Sequence, residues 1–587
     1  ANITAVRNLI WANGLNSVGP YWTQQGAWGW RFDVGADVDC GLTCAPSNDY
    51  WEGFRAAVRD SGVTGKSDVL TLGEEWGDAS GWLLGSEWDS VMNYRFRSAA
   101  MSWLFTGCSG NGCTGGTSFD DNDSNSGSSS GSISYISPSQ FNARLRSIAE
   151  DYPPMALKAM MNLEGSHDTN RIRFLLKKSN NDNDSAAQQR MKEMWIFAFT
   201  YAGAPTLYYG DEIGLSHDGV FSAGKWEDDP YNRAPFPWPD ASGSSYAAVT
   251  DLQGFARHMA SLRLSYRALQ DGDVQHGLII DDANKLYGFA RTNGSQTALI
   301  ALNRDGAAHT ATFTGLNASP YNLSDGTVLV DGLSGSTYTV SGGSASVTVN
   351  PTWGIALLEQ AKVETPSAIS GLAVTVPGND VLLKWTPVTT DTGAGRELPT
   401  TYEIHRSTSS SFTPGPGTLI ASINPSNFGN ANNQQTYTDV GAASAAYYYI
   451  VLAKNSAGKA SAAHTAVPSW LTVTVNVIAS EDGYITESGE ITNTGGSISS
   501  TATTIRLGDT SADRQTLSIL SFDTGVSLPD NATVRSAEVR IQRASVTGTT
   551  PFNTHGTLWV DVITGAYSGS NALQTGDFQA ASTATQV

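Results

Sequence analysis

At 587 residues the chain exceeds what one core can serve, since cores stop growing near roughly 250 to 300 residues, and three or four domains are expected. Charged residues make up 15%, below the ordinary fraction of about 25%, and the abundance of Gly, Ser, Thr and Asn suits extracellular β-rich proteins. A formal charge of -20 excludes general affinity for nucleic-acid backbones and anionic membranes, because repulsion opposes the encounter, whereas a neutral polymer is not repelled.

In chain order, Gly29-Trp30-Arg31-Phe32-Asp33-Val34 reads as the first informative strand. Its period of two sets Arg31 and Asp33 on one face and Trp30, Phe32 and Val34 on the other. An Arg beside an Asp holds it ionised and available as a nucleophile, although the strand alone reads equally as a structural ion pair. Cys40 with Cys44, and Cys108 with Cys113, form two local pairs separated by loop-forming residues. Two small disulfides and an oxidising compartment are expected, because zinc would call for paired C-x-x-C spacing.

Val69-Leu70-Thr71-Leu72-Gly73-Glu74-Glu75-Trp76 is an apolar strand ending in two carboxylates and an aromatic. Bulky apolar surface favours the protonated form of a neighbouring carboxyl, as a general acid requires, while Glu75 reads first as a solvated loop charge. The acidic stretch Asp120 to Asn125 is oxygen-rich like a calcium loop, but Gly127 does not fall where the helix-loop-helix pattern needs it, so a solvated loop is expected. Next, Met160-Met161-Asn162-Leu163-Glu164-Gly165-Ser166-His167-Asp168 delivers His and Asp together from a buried strand. His offers a hydrogen bond to a hydroxyl, and Asp offers charge to stabilise a developing cation.

Up to about residue 265, short apolar strands alternate with amphipathic helices, which predicts a parallel sheet of βα units. Helical patterns then stop. From Asp271 to about Gln360, short strands alternate with Asn, Gly and Ser turns, as in an antiparallel β-sandwich. After a linker near Glu364-Thr365-Pro366-Ser367, the segment to about residue 470 resembles a fibronectin type III domain, with Trp385 and the Tyr residues as core. The stretch from about 472 to 587 resembles the β-sandwich modules appended to polysaccharide enzymes, and it is expected to be truncated. No run of about 18 apolar residues occurs, and an export signal, if there is one, is expected outside this sequence.

Five ordered stretches, Gly29 to Val34, Gly73 to Ala79, Trp88 to Tyr94, Gly165 to Thr169 and Ala204 to Gly214, resemble successive regions of the α-amylase family of glycoside hydrolases. Asp229-Pro230-Tyr231-Asn232-Arg233, leading into Pro235-Phe236-Pro237-Trp238, resembles a sugar-binding loop of its neopullulanase-like and amylopullulanase-like branch. The resemblance implies a multidomain α/β plus all-β protein. Residues 1–265 would hold strands 4 to 8 of a (β/α)8 barrel, 266–362 a β-sandwich, 363–470 a fibronectin type III domain and 471–587 an accessory β-sandwich.

It also implies site roles. Asp33 would attack the anomeric carbon, Glu74 would act as acid and then base, and Asp168 would stabilise the transition state. Arg31 and His167 would support them, Trp76 would stack a sugar, and Asp229 and Arg233 would contact outer glucose units. The retaining route needs carboxyl groups about 5 to 5.5 Å apart and no cofactor. A structural calcium ion is common in the family. Trp226 and Trp238 could stack a sugar in the same way, but an aromatic beside Pro is more often loop packing, and they are read so.

The family's Asp-x-x-x-Asn-His type motif is absent, so an amino-terminal fragment of the same enzyme is expected to complete the barrel. An unclosed parallel sheet would leave two edges open. The expected function is a secreted, bacterial, extracellular hydrolase of α-1,6 and α-1,4 bonds in pullulan, starch and related α-glucans. The alternatives are an α-1,4 hydrolase of the neopullulanase or cyclomaltodextrinase type, or a fragment that only binds carbohydrate. Nucleic-acid and membrane partners are not expected.

Overall fold

Five short apolar runs become parallel strands: β1 (Gly29–Phe32), β2 (Leu70–Gly73), β3 (Ser90–Val91), β4 (Met161–Leu163) and β5 (Ala204–Thr206). They come from a computed structural model that describes residues 3–43, 50–85, 87–120, 132–217, 219–238, 250–425, 434–470, 474–524, 534, 537–554, 557–563 and 565–583. β1 pairs with β2 and β2 with β3. A Met92–Met161 bridge joins β3 to β4, and β4 pairs with β5, every pairing being parallel. Sequential neighbours in parallel register, joined by helical crossovers, are what alternating βα units produce. Among the described residues, β1 and β5 each have a strand partner on one side only.

The crossover helices are legible in their caps and stripes. Helix α1 (Tyr50–Val58) buries Tyr50, Trp51, Phe54 and Val58, and stacks Trp51 on Phe32 with ring centroids 4.0 Å apart. Helix α2 (Tyr94–Leu104) starts where the Asn93 side chain accepts the Phe96 N–H. Helix α3 (Pro138–Asp151) has a reciprocal Ser137–Gln140 capping box with Pro at its first position. Helix α4 (Asp184–Thr200) is capped by Asn183 and is buried along most of its length, covering the inner face of the sandwich. At the end of β2 the backbone of Gly73 lies against the Trp88 ring, where an added Cβ would sit 2.3 Å from a ring carbon. Only glycine fits there.

After the helix Arg267–Asp271, six antiparallel strands run Asp273–Asp281, Leu286–Thr292, Thr297–Asn303, Trp353–Glu359, Val328–Asp331 and Thr337–Thr339 across one sheet, faced by the pair His309–Phe313 and Ala345–Val349. Leu286–Thr292 and Thr297–Asn303 are buried at every position, because helices cover one face and the small sheet the other. Ala345–Val349 alternates buried and exposed, with water on its outer side. Residues 373 to 468 form sheets of three and four strands. Trp385 and Tyr402 meet at 5.3 Å between ring centroids, inside a core that also holds Tyr449.

These elements make up one unit, Ala1–Ser469, and Trp470–Val587 is a second. The second unit has a four-stranded antiparallel sheet and a small core of Ile485, Leu573 and Phe578. Among the described residues no helix is long and apolar enough to cross a membrane. Cys108 and Cys113 form a disulfide. Cys40 is disulfide-bonded as well, while Cys44 lies outside the described residues. The acidic stretch after Asp120 also lies outside them.

Candidate active site

All eight sequence-predicted residues stand at the carboxyl ends of the parallel strands or in the loops leaving them, in two facing groups. In the first, β1 ends at Phe32, short of the Asp33 and Val34 that its alternating pattern took in. Val34 takes a left-handed conformation with φ 48° and ψ 39°, an unfavourable region for a β-branched residue. The turn has a consequence, because it sends the Val34 N–H 2.9 Å from Glu74 Oε2.

Arg31 bridges the two carboxylates. One terminal nitrogen is bonded to Asp33 and the other lies 2.8 Å from Glu74 Oε2. The Trp76 indole N–H donates to Glu74 Oε1 at 3.2 Å, so Glu74 accepts from three donors. The Glu74 side chain is 10% exposed while Asp33 is 72% exposed. Glu75 turns away and accepts the Gly77 N–H at 2.7 Å, a local turn role that matches its reading as a loop charge.

In the second group, Asp168 receives His167 Nε2 at 3.0 Å on one oxygen and Arg233 Nη2 at 3.0 Å on the other. Arg233 also approaches Asp229 at 3.5 Å and donates to the His167 carbonyl at 2.9 Å. Burial pushes the Asp168 carboxyl up; His167 opposes this, the nearby Glu74 charge reinforces it, and Arg233 and Arg31 oppose it. The reach of the Glu74 charge to Asp168 puts the two groups within one electrostatic site.

Tyr94, which the motif reading left without a role, joins them. It follows β3, stacks on Trp76 with centroids 3.6 Å apart and planes 7° apart, and bonds Ser166 at 3.0 Å. Ser166 in turn accepts the Asp168 N–H at 3.1 Å. Burial raises the Tyr94 hydroxyl, aided by the charges of Asp168 and Glu74, so it remains protonated. Trp76 therefore spends one ring face on Tyr94, and only the opposite face is left for a sugar. Asn232 was also passed over inside a recognised motif. Its amide donates to the carbonyls of His167 at 2.7 Å and Thr169 at 2.9 Å, fastening the 229–233 turn to the Asp168 loop.

Behind the second group lies a buried layer. Asp211, after β5, pairs with Arg171 at 3.3 Å with both side chains essentially inaccessible. The Arg171 guanidinium sits 4.5 Å and 4.6 Å from the Tyr208 and Tyr209 ring centroids. Burial lifts the Asp211 carboxyl to about 7, against the pull of Arg171. Glu164, fully buried, is pushed well up by burial and by the Asp211 charge, and it accepts Trp195 Nε1 at 2.8 Å.

Among the described residues, one acidic trio, Asp39, Glu52 and Glu87, offers ligand atoms within 4.8 Å of one another. The Asp39 carboxylate already accepts the N–H groups of Gly41, Tyr50 and Trp51, the work of a helix cap.

The family model for "Alpha amylase, catalytic domain" matches residues 6–258, the stretch that holds every one of these side chains. Residues 6–258 belong to the alpha-amylase family. An amylopullulanase from Thermoanaerobacterium saccharolyticum is 30% identical over 430 residues, covering 69% of this chain and 29% of that protein. A cyclomaltodextrinase from Geobacillus thermopakistaniensis is 30% identical over 295 residues, covering 50% of this chain and 40% of that protein. The chain thus spans well under half the length of either relative. Ttha1563 from Thermus thermophilus, a solved structure, aligns at 26% identity with a TM-score of 0.45, covering 58% of this chain and 61% of that one. In this alpha-amylase domain, the segments leaving β1, β2 and β4 each supply one of the three carboxylates.

Proposed function

We propose that the chain carries the catalytic machinery of a retaining α-glucan hydrolase of the amylopullulanase kind, acting on α-1,6 and α-1,4 bonds in pullulan and starch. The observation that carries this reading is the single guanidinium of Arg31 shared by Asp33 and Glu74, with Asp168 close enough to feel the Glu74 charge.

The chemistry balances with these side chains and water. Asp33 attacks the anomeric carbon as the glycosidic C–O bond breaks, and protonated Glu74 gives its proton to the departing oxygen. Asp168 offers negative charge to the oxocarbenium-like transition state. Glu74, now a carboxylate, takes a proton from water, which attacks the anomeric carbon and releases Asp33. Three donors on Glu74 suit this second, ionised phase. In the first phase Arg31 serves Asp33, which lowers the cost of keeping the nucleophile charged. No redox or nucleotide cofactor enters the balance.

The reach of the alignments favours the amylopullulanase reading over the cyclomaltodextrinase one. The first extends over 69% of the chain and the second over 50%. The three-plus-four strand sheets around Trp385 support a fibronectin type III assignment for residues 363–470. The one-sided pairing of β1 and β5 supports a barrel whose remaining strands come from further polypeptide of the same enzyme, retained under native conditions and separated by denaturation. The Cys108–Cys113 disulfide supports an extracellular setting.

Product analysis on pullulan tests the function. Maltotriose marks α-1,6 cleavage and upholds the proposal, panose marks α-1,4 cleavage and favours the cyclomaltodextrinase-like alternative, and binding without products leaves a carbohydrate-binding scaffold.

A further inference from the structure

Ser109-Gly110-Asn111-Gly112 is a flexible stretch by composition, since glycine has the most backbone freedom to lose on ordering. The Cys108–Cys113 disulfide closes it into a small ring, in which Gly110 and Gly112 take left-handed φ values of 81° and 78°. From this ring the Asn111 carbonyl accepts the Trp226 indole N–H at 3.1 Å. Gly112 lies so close to the indole that an added Cβ would sit 2.9 Å from Trp226 Nε1.

Trp226 joins the disulfide ring to the loops that hold Asp168. Its side chain is 8% exposed, packs against Phe174 and Phe221, and has Lys178 Nζ 4.8 Å from the ring centroid. Its carbonyl accepts the side-chain amide of Asn170, in the Asp168 loop, at 3.4 Å. The antiparallel pair Val220–Ser222 and Lys225–Glu227 runs directly into the 229–233 turn, where the Asp228 carbonyl accepts the Asn232 N–H at 2.8 Å. From that turn Asn232 fastens the carbonyls of His167 and Thr169, and Arg233 donates to Asp168 at 3.0 Å. Opening the ring frees two glycines and takes a fixed acceptor from a buried donor, so the strand of Trp226 shifts to repair the loss.

We propose that the Cys108–Cys113 disulfide and Trp226 position the Arg233–Asp168 pair from outside the cleft, so that a reducing dithiol slows the enzyme. The proposal rests on the glucan-hydrolase reading above and adds a redox control to that same site. One thiolate of the dithiol attacks the half-buried Cys113 sulfur, the S–S bond breaks, and Cys108 leaves as a thiolate that takes up a proton. The second thiolate of the reagent then displaces Cys113 and closes a cyclic disulfide, so two electrons pass to the protein and the reagent is oxidised. Neither Trp226 nor the cysteines touch substrate. They are positioning residues, and the oxidising setting of the enzyme keeps them engaged.

The test measures kcat on pullulan and its pH profile for the whole enzyme, with and without dithiothreitol. Reduction lowers kcat of the parent roughly tenfold, because a small misplacement of a catalytic group is costly. The acid limb of the profile moves to higher pH, since Asp168 held less firmly by Arg233 keeps its proton longer. The double variant Cys108→Ala, Cys113→Ala shows both changes without the reagent and no longer responds to it. Trp226→Phe, which keeps an aromatic ring and loses the N–H, matches the double variant, and combining all three substitutions adds no further loss. A parent indifferent to dithiothreitol, with the bond shown open by mass spectrometry, overturns the proposal and leaves the hydrolase reading standing. A response that persists in the double variant also overturns it, because the disulfide of Cys40 is then the sensitive one. So does a lowered kcat with an unmoved acid limb, which marks general loosening. If the double variant does not fold, the reduced parent and Trp226→Phe decide by the same two readouts. A parent that hydrolyses no pullulan in either state overturns the hydrolase reading and the redox control with it.

Discussion

Two arginines near the same cleft each neutralise acidic side chains, and their surroundings give them opposite characters. Arg31 bridges Asp33 and Glu74 at the open end of β1 and β2, with the Asp33 side chain 72% exposed. Arg171 faces Asp211 behind β5 with neither side chain reached by water. In the first setting one guanidinium is shared by two carboxylates, one of them open to water. In the second, burial outweighs the arginine, so the Asp211 carboxyl is lifted to about 7 and Glu164 is pushed up beside it. Similar residue types do chemistry where they are wet and hold up the loop of Asp168 where they are dry.

The largest effect that would sharpen this contrast is on the wet side. Glu74→Gln keeps the Arg31, Val34 and Trp76 neighbours but cannot donate or accept the catalytic proton. Its kcat on pullulan falls roughly 10³-fold with substrate affinity retained, read by turnover and by binding to insoluble starch. Undiminished turnover would show that the acid lies elsewhere.

On the dry side the expected effect is on stability. Arg171→Met removes the cation that faces buried Asp211 and costs about 3 to 5 kcal/mol, measured by denaturant unfolding above pH 7, where the parent's Asp211 is ionised. Adding Asp211→Asn returns part of that loss, because the uncompensated charge is gone. If the double variant is no better than the single one, burial of charge is not what Arg171 relieves.

Asp211→Asn alone tests the sign of the pH dependence. The folded carboxyl holds its proton up to about 7, whereas the unfolded one releases it near its ordinary value of about 4. The folded state therefore binds more protons across that window, so stability falls as pH rises through it and levels off above 7. Glu164, raised in the same direction, leaves some slope in the variant. The Tm profile of Asp211→Asn is flatter between pH 4 and 7 than that of the parent, and parallel profiles would refute the assignment.

The smallest effect is at Val34. Asn tolerates the left-handed conformation better than Val, so Val34→Asn, with its N–H still directed at Glu74, raises Tm by a few degrees and holds kcat near the parent value. A fall in Tm would mean that the half-exposed Val side chain contributes more than the backbone strain costs.

The predictable parts of this site are those written in consecutive residues. Gly73-Glu74-Glu75-Trp76 and Ser166-His167-Asp168 carry their chemistry side by side at strand ends, and a period of two placed Arg31 and Asp33 on one face. Tyr94 and Asn232 stand inside quoted motifs yet are silent there, because their roles consist of contacts to other motifs, Tyr94 to Trp76 and Ser166 and Asn232 to the carbonyls of His167 and Thr169. Trp226 and Trp238 looked alike as letters. Among the described residues one packs against Phe174 and Phe221 and the other against Phe236, a difference that no local pattern carries.

By itself the sequence determined the alternation of strand and helix, the sandwich that follows, and which carboxylates end which strands, because periodicity and capping act over a few residues. Only the tertiary structure decided how those carboxylates are used. Which Arg reaches which acid, which face of Trp76 stays open, and whether an aspartate keeps its proton all depend on neighbours brought from distant segments, and on how much water those neighbours admit.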